Sequence, residues 1–235
     1  MGQFVKENGE YMEITTPVSR TSWVFIHKED PKHREGDPAK HKMTVMIPKN
    51  KKAYESLGLN PAQVKKHLAE VKTFKSEFEA EAQRVAEAKF KSKWNSTRWN
   101  PMLDGDIDKF GNEGALSGWE GNKNFYIIRC KTQFMPNVID KNKEPIETDE
   151  CPEGIYSGCW VRAKLSLYPF DVDGNKGVAA GLGFAIKKLA NDEQFKSGGS
   201  AEDAFEDNDL DDIDDSDFDD EFDDSELEDD DDELT

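Results

Sequence analysis

Apolar and polar positions alternate with a period of two in several stretches, most clearly over 158–170, GCWVRAKLSLYPF. A strand sends successive side chains to opposite faces. Cys159, Val161, Ala163, Leu165 and Leu167 therefore share one apolar face, and Trp160, Arg162, Lys164, Ser166, Tyr168 and Phe170 share the other. The stretch 41–49 alternates likewise, with His41, Met43, Val45 and Ile47 opposed to Lys42, Thr44 and Met46, and Pro48 closing the run. In 124–134, Tyr126, Ile128, Cys130, Thr132 and Phe134 form one face; Phe125, Ile127, Arg129 and Lys131 form the other. An Asp173–Gly174 pair after 158–170 predicts a hairpin. Its return strand puts Val178, Ala180, Leu182, Phe184 and Ile186 on one side and Ala179, Gly181, Gly183 and Ala185 on the other. Small residues there let a backbone or a flat ring approach closely. A further strand falls in 19–29, which contains SWVFIHK, and a short one at 137–140. Between the first two strands, DPKHREGDPAK predicts a turn or mobile loop.

The period changes once. KKAYESLG predicts a short helical turn stopped by Gly58. Asn60 then suits an N-cap, Pro61 the first helical position, and Gln63 a capping box. Val64, Leu68, Val71, Phe74, Phe78, Ala82 and Val85 step by three and four, which predicts an amphipathic helix running to about Lys91. One such helix packs on a core rather than forming a coiled-coil seam.

Charge divides the chain. Of 50 acidic residues, 22 lie in 201–235, where no Lys or Arg occurs. The first 200 residues keep 28 acidic against 31 basic, so a mildly basic body precedes a strongly acidic tail, and the net charge of -19 describes neither. The predicted division is a folded domain at 1–196 and a flexible linker plus disordered acidic tail at 197–235, with SGGS as its start. The longest apolar run, 178–186, is too short to cross a membrane. The N-terminal residues lack the apolar core of a signal peptide, and Lys6 breaks a myristoylation pattern. Three cysteines without an export signal predict reduced thiols and a cytoplasmic location.

Catalytic and metal chemistry find no support in the motifs. Asp104, Asp106 and Asp108 mimic a calcium loop, but Lys109 and Ala115 stand where glycine and glutamate belong; Asp171, Asp173 and Asn175 fail in the same way. Both read as turns. Cys151 and Cys159 lack zinc spacing, and no P-loop, nucleophile elbow or dinucleotide fingerprint is present. No cofactor is implied and an enzyme is not expected. What recurs is a face of rings and cations, the composition with which proteins stack on bases and neutralise phosphates. The plain alternative is an exposed strand with ordinary charges and partly buried rings. The irregular stretch 92–124 adds Trp94, Arg98 and Trp99, then Trp119 and Lys123, as rings and cations in polar loops. Such rings either meet a partner or pin a loop to the body. In the tail, Phe205, Leu210, Ile213, Phe218, Phe222, Leu227 and Leu234 stand singly among carboxylates, as in short docking segments.

GCWVRAKLSLYPF followed by NKGVAAGLGF resembles a family of phage single-stranded-DNA-binding proteins long catalogued only as a phage domain of unknown function. The likeness is strongest over 158–186 and extends over 20–190. It implies a mainly β protein, an OB-like barrel with the long helix inserted, that coats single strands during replication or recombination. It also implies an acidic tail that modulates DNA binding and recruits a polymerase or helicase, here through Phe218, Phe222, Leu227 and Leu234. Many such tails end in an aromatic residue or Pro-Phe, whereas this chain ends Glu233-Leu234-Thr235. The expected phosphate contacts are Arg20, Lys42, Arg129, Lys131, Arg162 and Lys164. The expected stacking rings are Trp160, Tyr168, Phe170 and Phe125, with Trp94, Arg98 and Trp99 contributed by a loop. The competing expectation is an acidic DNA mimic or inhibitor whose tail is the active part.

Overall fold

The computed structural model describes residues 13–28, 40–91, 100–108, 110–172 and 174–195. The loop expected between the first two strands lies largely outside these residues, as do Trp94, Arg98, Trp99, and the whole linker and tail with Phe218, Phe222, Leu227 and Leu234.

Each alternating run becomes a strand. The elements are β1 (Glu13–Thr15), β2 (Ser19–Phe25), β3 (His41–Pro48), α1 (Pro61–Phe90), β4 (Met102–Asp104), β5 (Phe125–Thr132), β6 (Asn137–Ile139), β7 (Trp160–Val172) and β8 (Asn175–Ala190). β2, β3 and β5 pair antiparallel in sequence. β8 then joins β5 in parallel, β7 pairs antiparallel with β8, and β7 returns to β2. This closes a five-stranded barrel with one parallel pair. β1 extends the β2 side along β7, while β4 and β6 are short additions to β5 and β8. The chain is thus mainly β, of the OB type, with one long helix inserted between the second and third barrel strands.

Alternation sorts the side chains as a closed barrel requires. Met43, Val45, Ile47, Ile128, Cys130, Val161, Ala163, Leu165, Leu167, Val178, Ala180, Leu182 and Ile186 all point inward into one buried cluster. The helix closes an end of this interior: Val71, Phe74, Phe78, Ala82, Val85 and Ala86 belong to the same cluster. Burying the two phenylalanines alone contributes about 1.5–3 kcal/mol each. Helix α1 starts as its sequence predicts, with the Asn60 side chain accepting from Gln63 N and the Gln63 side chain accepting from Asn60 N. Gly58, in the left-handed region at φ 59°, ends the preceding 3₁₀ turn Lys52–Leu57.

Two inward expectations fail for one reason each. Phe134 lies beyond the end of β5 and is exposed. Phe184 falls in a β7–β8 bulge, where Leu182 pairs with Leu165 and Ile186 with Ala163. The extra residues throw its ring outward, and it is 62% exposed.

Candidate nucleic-acid interface

The outward face of β3, β5, β8 and β7 carries a continuous row of cross-strand neighbours. Phe25 of β2 pairs with Lys42, Lys42 with Lys131, Lys131 with Gly181, and Gly181 with Ser166. One step along, Thr44 pairs with Arg129. Lys131 and Arg129 are exposed, and Arg129 donates to Ser117 Oγ at 3.2 Å. The Lys42 ammonium lies 4.9 Å from the centre of the Phe25 ring, a cation–π contact. Beside this row, Gly177, Ala179 and Gly181 of β8 offer a floor without bulky side chains. A Cβ at Gly181 would fall 3.4 Å from the Tyr168 ring and 2.5 Å from Ser166 Oγ, and one at Gly177 would fall 2.7 Å from the Phe170 ring. The glycines therefore let the half-buried Tyr168 and Phe170 rings lie down across the hairpin. Lys164 sits on the same outward face of β7, paired with Thr15 of β1, and is half-buried.

Four expected contacts, Trp160, Phe125, Arg162 and Arg20, are instead buried or engaged within the fold. Trp160 does face away from Val161 and Leu165, but it is fully buried. It joins a second cluster with Val18, Met46, Tyr54, Val64, Phe125 and Ile127 on the outside of the barrel. Its ring stacks on Tyr54 at 5.8 Å, and its Nε1–H donates to Asp192 Oδ2 at 2.6 Å. Phe125 is covered by the same insertion, with Leu116 and Trp119 at its rim. Neither ring is a platform for a base. The guanidinium of Arg162 forms a bidentate pair with Glu70 of α1 and also donates to Thr16 O at 3.1 Å, which ties the helix to β7.

Arg20 is likewise engaged inside the fold. It donates to Gly158 O at 2.9 Å and Glu193 O at 3.0 Å, and lies 4.1 Å above the Phe195 ring. Gly158 is needed there: its φ is 116°, and a Cβ would stand 2.1 Å from Glu193 O. The segment 191–195 is thereby held against the outer cluster. Burial opposes the charge on Asp192, yet hydrogen bonds from Ser56 and Trp160 and the nearby Arg20 hold its pKa below the ordinary value. Burial opposes the Glu70 charge too, and the Arg162 and His67 contacts again lower its pKa.

Of the expected residues, Lys42, Arg129, Lys131, Lys164, Tyr168 and Phe170 lie on this outward face, and Phe25, not among them, lies beside Lys42. Phe25 lay within a strand-forming run whose register the sequence did not reveal. In the first Asp-rich run Lys49 Nζ donates to Asp104 Oδ1 at 2.5 Å and Asp106 Oδ2 at 2.6 Å, while Asp173 of the second run lies outside the described residues. Among the described residues no cluster suited to a metal ion occurs, and no helix is long and apolar enough to cross a membrane.

A closed OB-type barrel with a cationic, ring-bearing strand 2–3 face is the architecture with which many oligonucleotide-binding domains work. Residues 12–218 match the family described as Enterobacter phage Enc34, ssDNA-binding protein, and the chain belongs to that family. The fold resembles the single-stranded DNA-binding protein from bacteriophage Enc34, solved in complex with ssDNA, with TM-score 0.59 and 18% identity over 83% of this chain and 98% of that one. The same Enc34 protein in another structure gives TM-score 0.57 and 18% identity over 88% and 99% of the two chains. A protein designated p50 from Acyrthosiphon pisum secondary endosymbiont phage 1 is 30% identical over 112 residues, 46% of this chain. The match spans 54% of that protein's length.

Proposed function

We propose that this chain binds single-stranded DNA without catalysis, along the outward face of β3, β5 and the β7–β8 hairpin. The observation that carries the reading is the pairing of Lys42 directly opposite Lys131, with Arg129 on the same face. Like charges set opposite each other on adjacent strands destabilise a sheet. Two such charges side by side give a polyanion a local positive field to follow, and the flat rings of Tyr168 and Phe170 beside them suit unpaired bases. Family membership and the likeness to a protein solved with ssDNA support the same reading. The biological setting would be coating of single strands in phage replication or recombination, in the host cytoplasm. The tail's 22 carboxylates would compete with DNA for the basic face and offer Phe218, Phe222, Leu227 and Leu234 to a polymerase or helicase.

Titration of labelled oligothymidylate and of a duplex, with full-length protein and a truncation after Lys196, tests this across a salt series. The expected result is preference for the single strand, log affinity falling linearly with log salt, and tighter binding by the truncated protein at low salt. Equal affinity for duplex, or a flat salt response, would refute it. Binding activity lost with the tail would favour the acidic-mimic alternative.

A further inference from the structure

Trp23 is the least comfortable residue in the barrel. It lies in the middle of β2 yet has φ 49°, a left-handed conformation that is a genuine outlier for a bulky side chain. It is also 51% exposed. Its position has a clear geometric origin. Ser22 pairs with Thr44 and Phe25 with Lys42, so two residues of β2, Trp23 and Val24, oppose the single Met43 of β3. Val24 packs against the inner cluster beside Met43. Trp23 is therefore the extra residue of a β-bulge, a device that re-aims a side chain.

The bulge sits between Ser22 and Phe25, whose partners Thr44 and Lys42 belong to the cationic row. Backbone strain of this kind persists where the surroundings enforce it, and it gathers at ligand-binding positions. An indole held half in solvent two residues before Phe25, whose strand partner is Lys42, offers a flat, sequence-tolerant surface to an unpaired base. We infer that Trp23 is a base-stacking subsite, placed by the β2 bulge at the rim of the cationic row so that a strand lying on Lys42, Lys131 and Arg129 continues onto its ring. This rests on the single-stranded-DNA reading above.

The test uses the full chain and oligothymidylate, with Trp23→Phe, Trp23→Ala and Trp23→Gly. Wild type must bind first; if it does not, the functional reading itself fails and the subsite falls with it. Given binding, Trp23→Ala and Trp23→Gly are expected to weaken it by about 10-fold or more, and Trp23→Phe to stay close to wild type. DNA-induced quenching of tryptophan fluorescence should shrink in Trp23→Phe at unchanged saturation. Melting reads the bulge independently: Trp23→Gly should melt above Trp23→Ala, the reverse of the usual order in a strand, because glycine accepts a positive φ. Wild-type affinity in the Ala and Gly variants overturns the subsite. So does a Phe variant as weak as the Ala variant, or an Ala variant more stable than the Gly variant.

Discussion

The indole N–H of Trp160 and a carboxylate oxygen of Asp192 meet at 2.6 Å beneath the outer surface of the barrel. The bond joins the first residue of β7 to the segment that follows β8, and Tyr54 of the inserted region lies across the ring. Trp160→Ala should therefore cost about 3–5 kcal/mol of stability, the range for deleting a buried large ring. DNA affinity measured well below the melting temperature should stay near wild type. A variant of near-normal stability that has lost affinity would restore Trp160 as a contact.

Lys131 and Arg129 carry the opposite expectation. Both are exposed, so Lys131→Ala and Arg129→Ala should leave Tm within a few degrees of wild type. Each should weaken single-strand binding and reduce the slope of log affinity against log salt by roughly 0.7. An unaltered slope in both variants would remove them from the phosphate path.

Arg162 and Glu70 should couple in stability rather than in binding. A surface pair contributes up to about 1 kcal/mol, and breaking a buried one costs about 3–5. This bidentate, half-buried pair should give a coupling of about 1–2 kcal/mol in a double-mutant cycle of Arg162→Ala and Glu70→Ala. A coupling near zero would show that α1 is held to β7 by its apolar stripe alone.

The acid limb of stability follows from Asp192 and Glu70. Their ordinary values are 3.8 and 4.5, and both are lower in the fold. A depressed folded pKa gives stability that is present above the unfolded value and lost as pH falls through the folded one. The Tm gap between wild type and Asp192→Asn should thus be widest near pH 7 and narrow below about pH 4. A gap that stays constant down to pH 3 would mean the charge contributes nothing.

The thiols should separate by burial. Cys151 is exposed, whereas Cys130 and Cys159 are buried. Burial pushes the Cys130 thiol up to about 12 and raises that of Cys159 as well. At pH 8, iodoacetamide should modify one cysteine per native chain and all three after denaturation. Rapid modification of Cys130 in the native protein would contradict its place inside the barrel.

Sequence alone determined what depends on neighbours along the chain. Period two placed Val161, Ala163 and Leu165 opposite Trp160 and Arg162, and the structure keeps that division. The cap Asn60–Gln63 and the stop at Gly58 were legible because each is a bond or a backbone conformation set within a few residues. Which outward face meets solvent was not legible, because alternation names two faces and says nothing of what lies on them. Tyr54 and Val64, about 100 residues before Trp160, cover it together with Asp192, 32 residues after it. The partner of Arg162 was hidden for the same reason, since Glu70 faces β7 only once α1 has packed on the barrel. The bulges at Trp23 and Phe184 are register events between strands, and a register exists only after the strands pair. Tertiary structure therefore decided which cations stay exposed among the described residues: Arg129 and Lys131 do, whereas Arg20 and Arg162 are drawn into contacts within the fold.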